Sequence, residues 1–202
     1  MKILNQELIE KLRNAESVML DLGCGQCPRQ GFYGVDNIDL PGVHVVANLN
    51  DTFELFPSNS VNYIYSRHAF EHVENIIGLM NEVYRIVTPD GKIEIIVPHF
   101  SNIFGYSDPT HVRLFGLYSM HYFVPSEFQA GSRKVPSFYS NAKFKIESIK
   151  IDFYKISLID YIVAPLISRI INLNLAMQLF YERRLSGFYH AAQIKYTLTP
   201  IK

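Results

Sequence analysis

The sequence contains very little cysteine, carries no net charge and has no long hydrophobic run. Cys24 and Cys27 are the only two cysteines among 202 residues, too few for a disulfide scaffold or a four-cysteine zinc site. Lysine and arginine together number 19, as do aspartate and glutamate, so the chain as a whole lacks the basic charge typical of DNA- and RNA-binding proteins. The composition therefore argues against nucleic acid as a partner.

Neither end of the sequence resembles a segment inserted into a membrane. Lys2 and Glu7 place charge where a signal peptide would begin its apolar core. Towards the C-terminus, the uncharged stretch 170–181 is shorter than the roughly 18 residues of a membrane span. We expect a soluble cytoplasmic protein without a transmembrane segment. Arg183 and Arg184 follow the apolar stretch, so peripheral membrane contact stays open, as does a homo-oligomer.

The remaining composition is that of a folded domain. Hydrophobic residues make up 48% of the chain and charged residues 19%, which is enough apolar material for a sizeable core. The sequence has no internal repeat and no low-complexity linker. We therefore expect residues 1–202 to form a single domain.

Short apolar runs and helical patterns alternate along the first half of the chain. The run 18–22, which leads into glycine, is typical of a buried parallel strand. Apolar residues recur at helical spacing over 76–87, until Pro89 ends the pattern. This alternation predicts an α/β fold with a mostly parallel sheet and helices on both faces. The predicted strands are 18–22, 32–36, 43–47, 61–66, 93–97, 145–154 and 192–199, and an N-terminal helix is predicted over 3–15.

Two segments depart from this alternation. Residues 99–140 are rich in His, Ser, Tyr, Phe and Pro without a clear period, and a region of this length predicts a functional loop or lid. Residues 156–187 are mostly apolar at helical spacing and are interrupted by Pro165. We expect the second segment to be a helical cap inserted before the last strand, or a face for self-association.

The strongest functional signal is the segment 21–25, directly after the first buried strand. Gly23 and Gly25 let the backbone turn sharply and approach a ligand closely. Ligands of such sheets bind beyond the carboxyl ends of the strands, and Asp36 ends the next strand, where an acid can accept the hydroxyls of a ribose. Pro28 stands where the dinucleotide fingerprint has its third glycine or alanine. We therefore expect a nucleoside ligand without phosphates rather than NAD or FAD.

In order and spacing, these motifs resemble those of the class I S-adenosylmethionine-dependent methyltransferases of the compact type-11 family. The resemblance covers 17–98, about half of the chain. It is carried by Val-Met-Leu-Asp-Leu-Gly-Cys-Gly at 18–25, Gly-Val-Asp at 34–36, Val-Asn-Tyr-Ile-Tyr-Ser at 61–66, Phe-Glu-His-Val at 70–73 and Glu-Val-Tyr-Arg-Ile-Val-Thr-Pro-Asp-Gly-Lys at 82–92. It implies a Rossmann-like, seven-stranded sheet with an antiparallel last strand, and S-adenosylmethionine as the cofactor.

The resemblance also implies roles for particular residues. The residues that would contact the cofactor are Asp21, Leu22, Gly23, Cys24 and Gly25 at its methionine end, Asp36 and Asn37 at the ribose, Asn48 and Leu49 at the adenine, and Ser66, Arg67 and His68 near the methyl group. The sequence departs from the family in two places. The connection between 25 and 32 is too short for the usual first helix, and Asn48 stands where the family often has an acid.

Cys24 and Cys27 form a C-x-x-C pair, which suggests redox chemistry only in a thioredoxin-like context. The surrounding motifs do not provide that context. We therefore expect Cys24 to be a small, packed loop residue.

Methyl transfer to a hydroxyl benefits from a base that removes the proton. His99, Asp108 and His111 follow the fifth predicted strand, and Asp108 precedes His111 by three positions, which can bring a carboxylate to the imidazole. We predict these three residues to be catalytic. A divalent metal on the same groups, with His68 across the cleft, is the alternative; since no tight ligand spacing supports it, we expect none.

The sequence thus predicts a methyltransferase that uses S-adenosylmethionine to methylate a small-molecule or sugar acceptor on oxygen. The segment 107–111 resembles that of family members assigned to surface-glycan biosynthesis. Two alternatives stay open: a non-catalytic, methyltransferase-like module that binds the cofactor, and an RNA methyltransferase, against which the neutral charge argues. Ser66-Arg67-His68 replaces the polar-Pro-Pro-Tyr signature of many N-methyltransferases, which argues against base methylation of that kind.

Overall fold

The computed structural model describes residues 1–131 and 133–202 and contains one eight-stranded sheet. Ser132, in the predicted loop 99–140, lies outside the described residues. The strands are β1 (Lys2–Ile3), β2 (Met19–Leu22), β3 (Tyr33–Asp36), β4 (Val43–Val46), β5 (Val61–Arg67), β6 (Val87–Pro98), β7 (Phe144–Phe153) and β8 (Ala191–Pro200). The α-helices are α1 (Gln6–Arg13), α2 (Ile76–Ile86), α3 (Leu158–Ile171) and α4 (Leu175–Phe180).

The sheet has the strand order β1-β4-β3-β2-β5-β6-β8-β7. Strands β4, β3, β2, β5 and β6 run parallel, whereas β8 is antiparallel to both of its neighbours. The order reverses at β2, and this topological switch point is where ligands of open α/β sheets bind. The predicted α/β class and the antiparallel last strand are therefore confirmed.

The predicted number of seven strands is wrong because the N-terminus supplies an eighth. Lys2 and Ile3 pair antiparallel with β4 at the edge of the sheet. The helix predicted over 3–15 instead begins at Gln6, because the Asn5 side chain accepts a hydrogen bond from the Leu8 N–H and caps the helix there.

Helix α2 shows how the sequence pattern becomes packing. Asn75 caps its first turn by accepting a hydrogen bond from the Gly78 N–H. Its buried residues are Leu79, Met80, Val83 and Ile86, spaced at three and four residues. Full burial of one such side chain contributes roughly 1.5–3 kcal/mol, so this face fixes the helix against the sheet.

The connections on the ligand-binding half of the sheet are short turns. Residues 23–32 join β2 to β3, 37–42 join β3 to β4 and 47–60 join β4 to β5, all in turns, bends and irregular structure. The first helix expected for the fold family is thus replaced by a loop, as the short spacing predicted. Each of these connections begins at the carboxyl end of a parallel strand, so their first residues can shape one pocket.

The segment between β7 and β8 is helical, as predicted from 156–187. Helices α3 and α4 are followed by a π-helical turn, Tyr181–Leu185, and α3 packs against β7. Among the described residues, no single helix is long and apolar enough to cross a membrane. The pair Leu158–Ile171 and Leu175–Leu185 meets that test only together, with a bend of 118° between its two parts.

Candidate functional site

The loop after β2 is shaped by two glycines in the left-handed region. Gly23 has φ = 71° and Gly25 has φ = 57°, which is costly for other residues. A Cβ on Gly23 would also lie 2.2 Å from the Ala69 Cβ, whereas a Cβ on Gly25 would have nothing within 4 Å. The N–H of Gly23 donates to the Val35 carbonyl oxygen at 2.8 Å. Glycine is therefore required at position 23 both by the backbone conformation and by the lack of room for a Cβ. At position 25 it is required by the backbone conformation alone.

Two buried or half-buried carboxylates organise this loop. Asp36 Oδ2, at the end of β3, accepts a hydrogen bond from the Gly25 N–H at 2.8 Å. Asp21 Oδ2, in β2, accepts one from the Arg29 N–H at 2.7 Å. Burial raises the pKa of Asp21, an effect that this hydrogen bond partly offsets. Each carboxylate therefore holds one end of the loop 23–29 and retains further lone pairs for a ligand.

A pocket of about 240 Å³ lies beyond the carboxyl ends of β2 to β5. It is lined by Gly23, Asp36, Asn37, Asn48, Leu49, Asn50, His68, Ala69, His72 and Val73. Six of the twelve predicted cofactor residues line this pocket: Gly23, Asp36, Asn37, Asn48, Leu49 and His68. The structure thus brings together residues from four separate loops that the sequence analysis assigned to one ligand.

The other predicted cofactor residues lie outside the pocket wall. Ser66 is buried, and its Oγ donates to the Leu22 carbonyl oxygen at 2.7 Å, so this pair links β5 to β2. Arg67 is exposed at the end of β5. Asp21 and Leu22 are buried in β2, and Cys24 and Gly25 belong to the loop that follows it. Four further lining residues had not been assigned to the cofactor: Asn50, Ala69, His72 and Val73.

Cys24 packs inside the loop, as expected. A Cβ on Gly34 would lie 2.6 Å from Cys24 Sγ, so the thiol fills the space that this glycine leaves. Burial, together with the negative charges of Asp21 and Asp36, raises the pKa of the Cys24 thiol to about 12. Cys24 and the exposed Cys27 are both free thiols. Cys24 therefore lacks the low pKa of a redox-active thiol.

His99 was predicted to be catalytic, and its surroundings correct that prediction. The side chain is buried, and its Nδ1 accepts a hydrogen bond from the Ser101 N–H at 3.1 Å. The proton therefore lies on Nε2, which donates to Glu182 Oε1 at 3.2 Å. Because both nitrogens are engaged away from the pocket, His99 links the loop after β6 to the π-helical turn and does not face a ligand.

The other two predicted catalytic residues lie in one cluster beside the pocket. His111 Nε2 is 3.7 Å from Asp108 Oδ2 and 4.0 Å from Glu71 Oε1. The rings of His111 and His72 are 4.8 Å apart between centroids. Hydrogen bonds from Thr110 lower the pKa of the Asp108 carboxyl. Glu71 and His72 were missed as site residues, although an acid and an imidazole in sequence just after the carboxyl end of β5 were a usable signal.

The loop that carries Asp108 and His111 is held against the segment 70–74 by backbone contacts. The Val112 N–H donates to the Glu71 carbonyl oxygen at 3.0 Å. The Arg113 guanidinium donates to the carbonyl oxygens of Val73 and Glu74 at 2.8 and 2.6 Å. Charged donors make such bonds strong, so the cluster is arranged before any ligand binds.

Comparison with known proteins agrees with this geometry. A family model described as a methyltransferase domain matches residues 2–145. No curated protein matches the chain. Among solved structures, a SAM-dependent methyltransferase from Archaeoglobus fulgidus is similar, with 17% identity, a TM-score of 0.55, and coverage of 97% of this chain and 90% of that one.

Two further structures have the same fold. The YcgJ protein of Bacillus subtilis has 19% identity and a TM-score of 0.51, over 98% of this chain and 99% of that one. Phosphoethanolamine N-methyltransferase 2 of Haemonchus contortus, in complex with S-adenosyl-L-methionine, has 14% identity and a TM-score of 0.52, over 100% of this chain and 54% of that one. Together with the family match over most of the chain, the switch-point pocket and the glycine loop identify the chain as a member of the class I S-adenosylmethionine-dependent methyltransferases.

Proposed function

We propose that this protein transfers the methyl group of S-adenosylmethionine to a hydroxyl oxygen of a small-molecule or sugar acceptor. The observation that carries the proposal is the contact between two sites: His68 and His72 line the cofactor pocket, and His72 also belongs to the polar cluster with His111. A donor site and a proton-accepting cluster thus share one wall.

The residues that line the cofactor pocket can form hydrogen bonds and apolar contacts with an adenosine. The Asp36 carboxylate has lone pairs left after its hydrogen bond to Gly25, so it can accept both ribose hydroxyls. Asn48 Oδ1 already accepts hydrogen bonds from Asn50 N–H and Nδ2, so the Asn48 amide NH₂ is the group left to donate to an adenine ring nitrogen. Leu49 supplies an apolar contact for the base.

The pocket, at about 240 Å³, is smaller than the roughly 300–1,000 Å³ of pockets that hold a whole drug-sized ligand. We therefore assign it to the adenosine and place the methionine end along the backbone of Gly23 and Gly25, near Asp21. This placement accounts for predicted residues that do not line the pocket. The bound cofactor supplies an electrophilic methyl group, and the protein's task is to align the acceptor and take up its proton.

The acceptor half is suited to a hydroxyl. Asp108 lies beside His111, and the hydrogen bonds that it accepts from the Thr110 Oγ–H and N–H lower the pKa of its carboxyl. This pair, backed by Glu71, can take the proton that an acceptor hydroxyl loses on methylation, a role worth typically 10²–10⁴-fold in rate. The neutral net charge of the chain favours a small or sugar acceptor over RNA.

The proposal is tested by incubating the protein with S-adenosylmethionine that carries a radiolabelled methyl group. The acceptors are a panel of sugars, sugar nucleotides, lipid-linked sugars, phenols and total RNA. We expect label in a hydroxylated small acceptor, and at least about 100-fold slower transfer by His111→Ala. Cofactor binding without label in any acceptor would favour the non-catalytic module, and label in RNA alone would favour the RNA methyltransferase.

We also propose that the outer face of α3 and the turn after α4 contacts an anionic lipid surface, which would bring the enzyme to a lipid-linked acceptor. Several apolar side chains there are largely exposed: Leu158, Ile159, Ile162, Leu166, Leu173 and Phe188, the last to 88%. Lys155, Arg169, Arg183 and Arg184 are exposed around them. The two acids within the segment are engaged, Asp160 in capping α3 and Glu182 with His99 and the Leu117 N–H.

An exposed apolar face bordered by basic side chains is the pattern of an interfacial membrane contact. Sedimentation with phosphatidylcholine vesicles, with and without phosphatidylglycerol, tests it. We expect binding that requires phosphatidylglycerol and is lost in Ile159→Asp/Ile162→Asp but kept in Phe138→Asp, which alters another exposed apolar residue. A stable dimer that the double substitution dissociates, without vesicle binding, would show that a second copy covers the face.

A further inference from the structure

We infer that Glu71, His72 and His111 form a binding site for one divalent first-row transition-metal ion beside the cofactor pocket. One potential ligand atom from each of the three residues can be chosen so that all lie within 4.8 Å of one another. The metal site is inferred from geometry alone, whereas its role in catalysis rests on the proposed function. The sequence analysis weighed a metal on His99, Asp108, His111 and His68 and expected none, because no tight ligand spacing supported it.

The surroundings of the Glu71 carboxylate indicate that this cluster binds a cation. Its side chain is 1% exposed, and neither carboxylate oxygen has a hydrogen-bond partner among the described residues. A buried carboxylate without partners is costly, since its charge has lost its water. His68 Nδ1 and His111 Nε2 approach Oε1 only to 3.5 and 4.0 Å. A bound cation would supply the partner that this carboxylate lacks.

The hydrogen bonds of His72 leave one of its nitrogens free for a metal. Thr110 Oγ1 donates its proton to Asp108 Oδ1 at 2.5 Å, so the same oxygen can only accept from His72 Nδ1, which lies 2.8 Å away. His72 Nδ1 therefore carries the proton, and Nε2 retains its lone pair. An imidazole that donates its other N–H to a hydrogen-bonded acceptor is the usual arrangement of a metal ligand.

The backbone beside the cluster is held in an unusual conformation. His68 has φ = 55°, a left-handed value that is uncommon outside glycine, and its N–H donates to the Ile96 carbonyl oxygen at 2.8 Å. Such conformations cluster at functional sites. This bend places His68 in the pocket wall between the cofactor and Glu71. The proposed ion would thus lie directly behind the wall of the cofactor pocket.

The ligand set indicates which ions would bind. Two imidazoles with one carboxylate suit Zn²⁺, Fe²⁺ or Mn²⁺, whereas Mg²⁺ and Ca²⁺ prefer oxygen ligands throughout. Bonds to such ions are about 2.0–2.2 Å long, so small side-chain rotations would draw the three ligand atoms closer than their present separations. Three protein ligands leave coordination positions open, as in catalytic metal sites.

The open position defines a role for the ion in the proposed reaction. A metal ion withdraws electron density from a hydroxyl oxygen and lowers the pKa of that hydroxyl. The O–H bond would break towards Asp108, whose carboxylate would take the proton, and the oxygen would keep the electron pair with which it attacks the methyl carbon. The bond between that carbon and the sulfonium sulfur would break as the O–C bond forms, and the sulfur would keep the bonding pair as S-adenosylhomocysteine leaves. His111 would act here as a ligand, and Asp108 would replace it as the proton acceptor.

Metal binding is tested on protein stripped with EDTA and then titrated calorimetrically with MnCl₂ and ZnCl₂. We expect one ion per chain, at least about 100-fold weaker binding in His72→Ala and His111→Ala, and at least tenfold weaker binding in Glu71→Gln. His190→Ala, which removes a half-buried histidine elsewhere, and Cys27→Ser, which removes an exposed thiol, are the matched controls and should bind as the wild type does. With Co²⁺, we expect a visible absorption band that the His72→Ala variant lacks.

A second titration of each variant with S-adenosylhomocysteine separates this inference from the proposed function. Unchanged cofactor affinity in His111→Ala, which lies outside the pocket lining, would show that this variant folds and that only the metal is lost. For His72→Ala, which alters the pocket wall, an unchanged circular dichroism spectrum would show that the variant folds. The metal site is overturned if folded wild-type protein binds no stoichiometric ion, or if the ion is lost with Cys27→Ser rather than with the histidine variants. Metal binding with no methyl transfer to any acceptor would contradict the proposed function instead.

Discussion

The two sides of the cleft are built in different ways. On the cofactor side, the ends of four parallel strands and the residues that follow them form the wall, and its structure depends on backbone conformation at Gly23 and on the carboxylate of Asp36. On the acceptor side, side chains from two distant segments meet: His72 and Thr110 are 38 residues apart in sequence and 2.8 Å apart in space. The cofactor side is therefore sensitive to changes in backbone shape, and the acceptor side to changes in individual polar groups.

The largest effect is expected from Gly23→Ala. The left-handed backbone costs about 1–2 kcal/mol for a residue with a Cβ, and crowding against Ala69 adds roughly 1–3 kcal/mol. Gly25→Ala has the same conformational cost without the crowding, so it is the matched control. Urea denaturation should show the larger loss for Gly23→Ala. Equal losses in the two variants would mean that the contact with Ala69 does not limit this loop.

The sequence analysis assigned His99 and His111 the same catalytic role, but we expect their substitution by alanine to have different effects on stability and turnover. His99→Ala removes a buried side chain with two hydrogen bonds, and we expect it to lower the free energy of unfolding by about 2–4 kcal/mol. His111→Ala, at the edge of the cleft, should change stability by less than about 1 kcal/mol while slowing methyl transfer. Thermal denaturation and turnover measured on both variants would test this, and the reverse pattern would exchange their roles.

The smallest effect concerns the cysteines. With a pKa of about 12, the Cys24 thiol is ionised to roughly one part in ten thousand at pH 8. Since the thiolate is the reactive form, iodoacetamide should label the exposed Cys27 and leave Cys24 unmodified until the pH rises far above 8. Peptide mass spectrometry after labelling measures this. Early modification of Cys24 would show that the loop opens or that the thiol is more acidic.

Much of the fold was predictable because its signals are local. The parallel strands β2, β3, β4 and β5 appear as apolar runs, and α2 as a periodic face that ends before Pro89. Strand β1 was missed because Lys2 and Ile3 alone carry no periodic signal, and their strand exists only through pairing with Val45 and Val46. Long-range pairing of this kind cannot be read from a two-residue segment.

The site residues differed in the same way: those with local signals were predictable, and those placed by long-range packing were not. Gly23 and Asp36 were predicted because they stand at the carboxyl ends of neighbouring predicted strands, and Leu49 because the family resemblance implied it; all three line the pocket. The role of His99 was misassigned because its partner Glu182 lies 83 residues away and is reached only in the folded chain. Glu71 was overlooked for the same reason: its burial beside His111 depends on how two loops pack.

The central claim is that the pocket beyond β2 to β5 binds S-adenosylmethionine through the Asp36 carboxylate. Calorimetric titration of the wild type, Asp36→Ala and His111→Ala with S-adenosylmethionine tests it most directly. We predict one site per chain in the wild type, about 100-fold weaker binding in Asp36→Ala, because hydrogen bonds to a charged acceptor contribute roughly 1.5–3 kcal/mol each, and unchanged affinity in His111→Ala. Wild-type affinity in folded Asp36→Ala, or no binding by the wild type, would contradict the account.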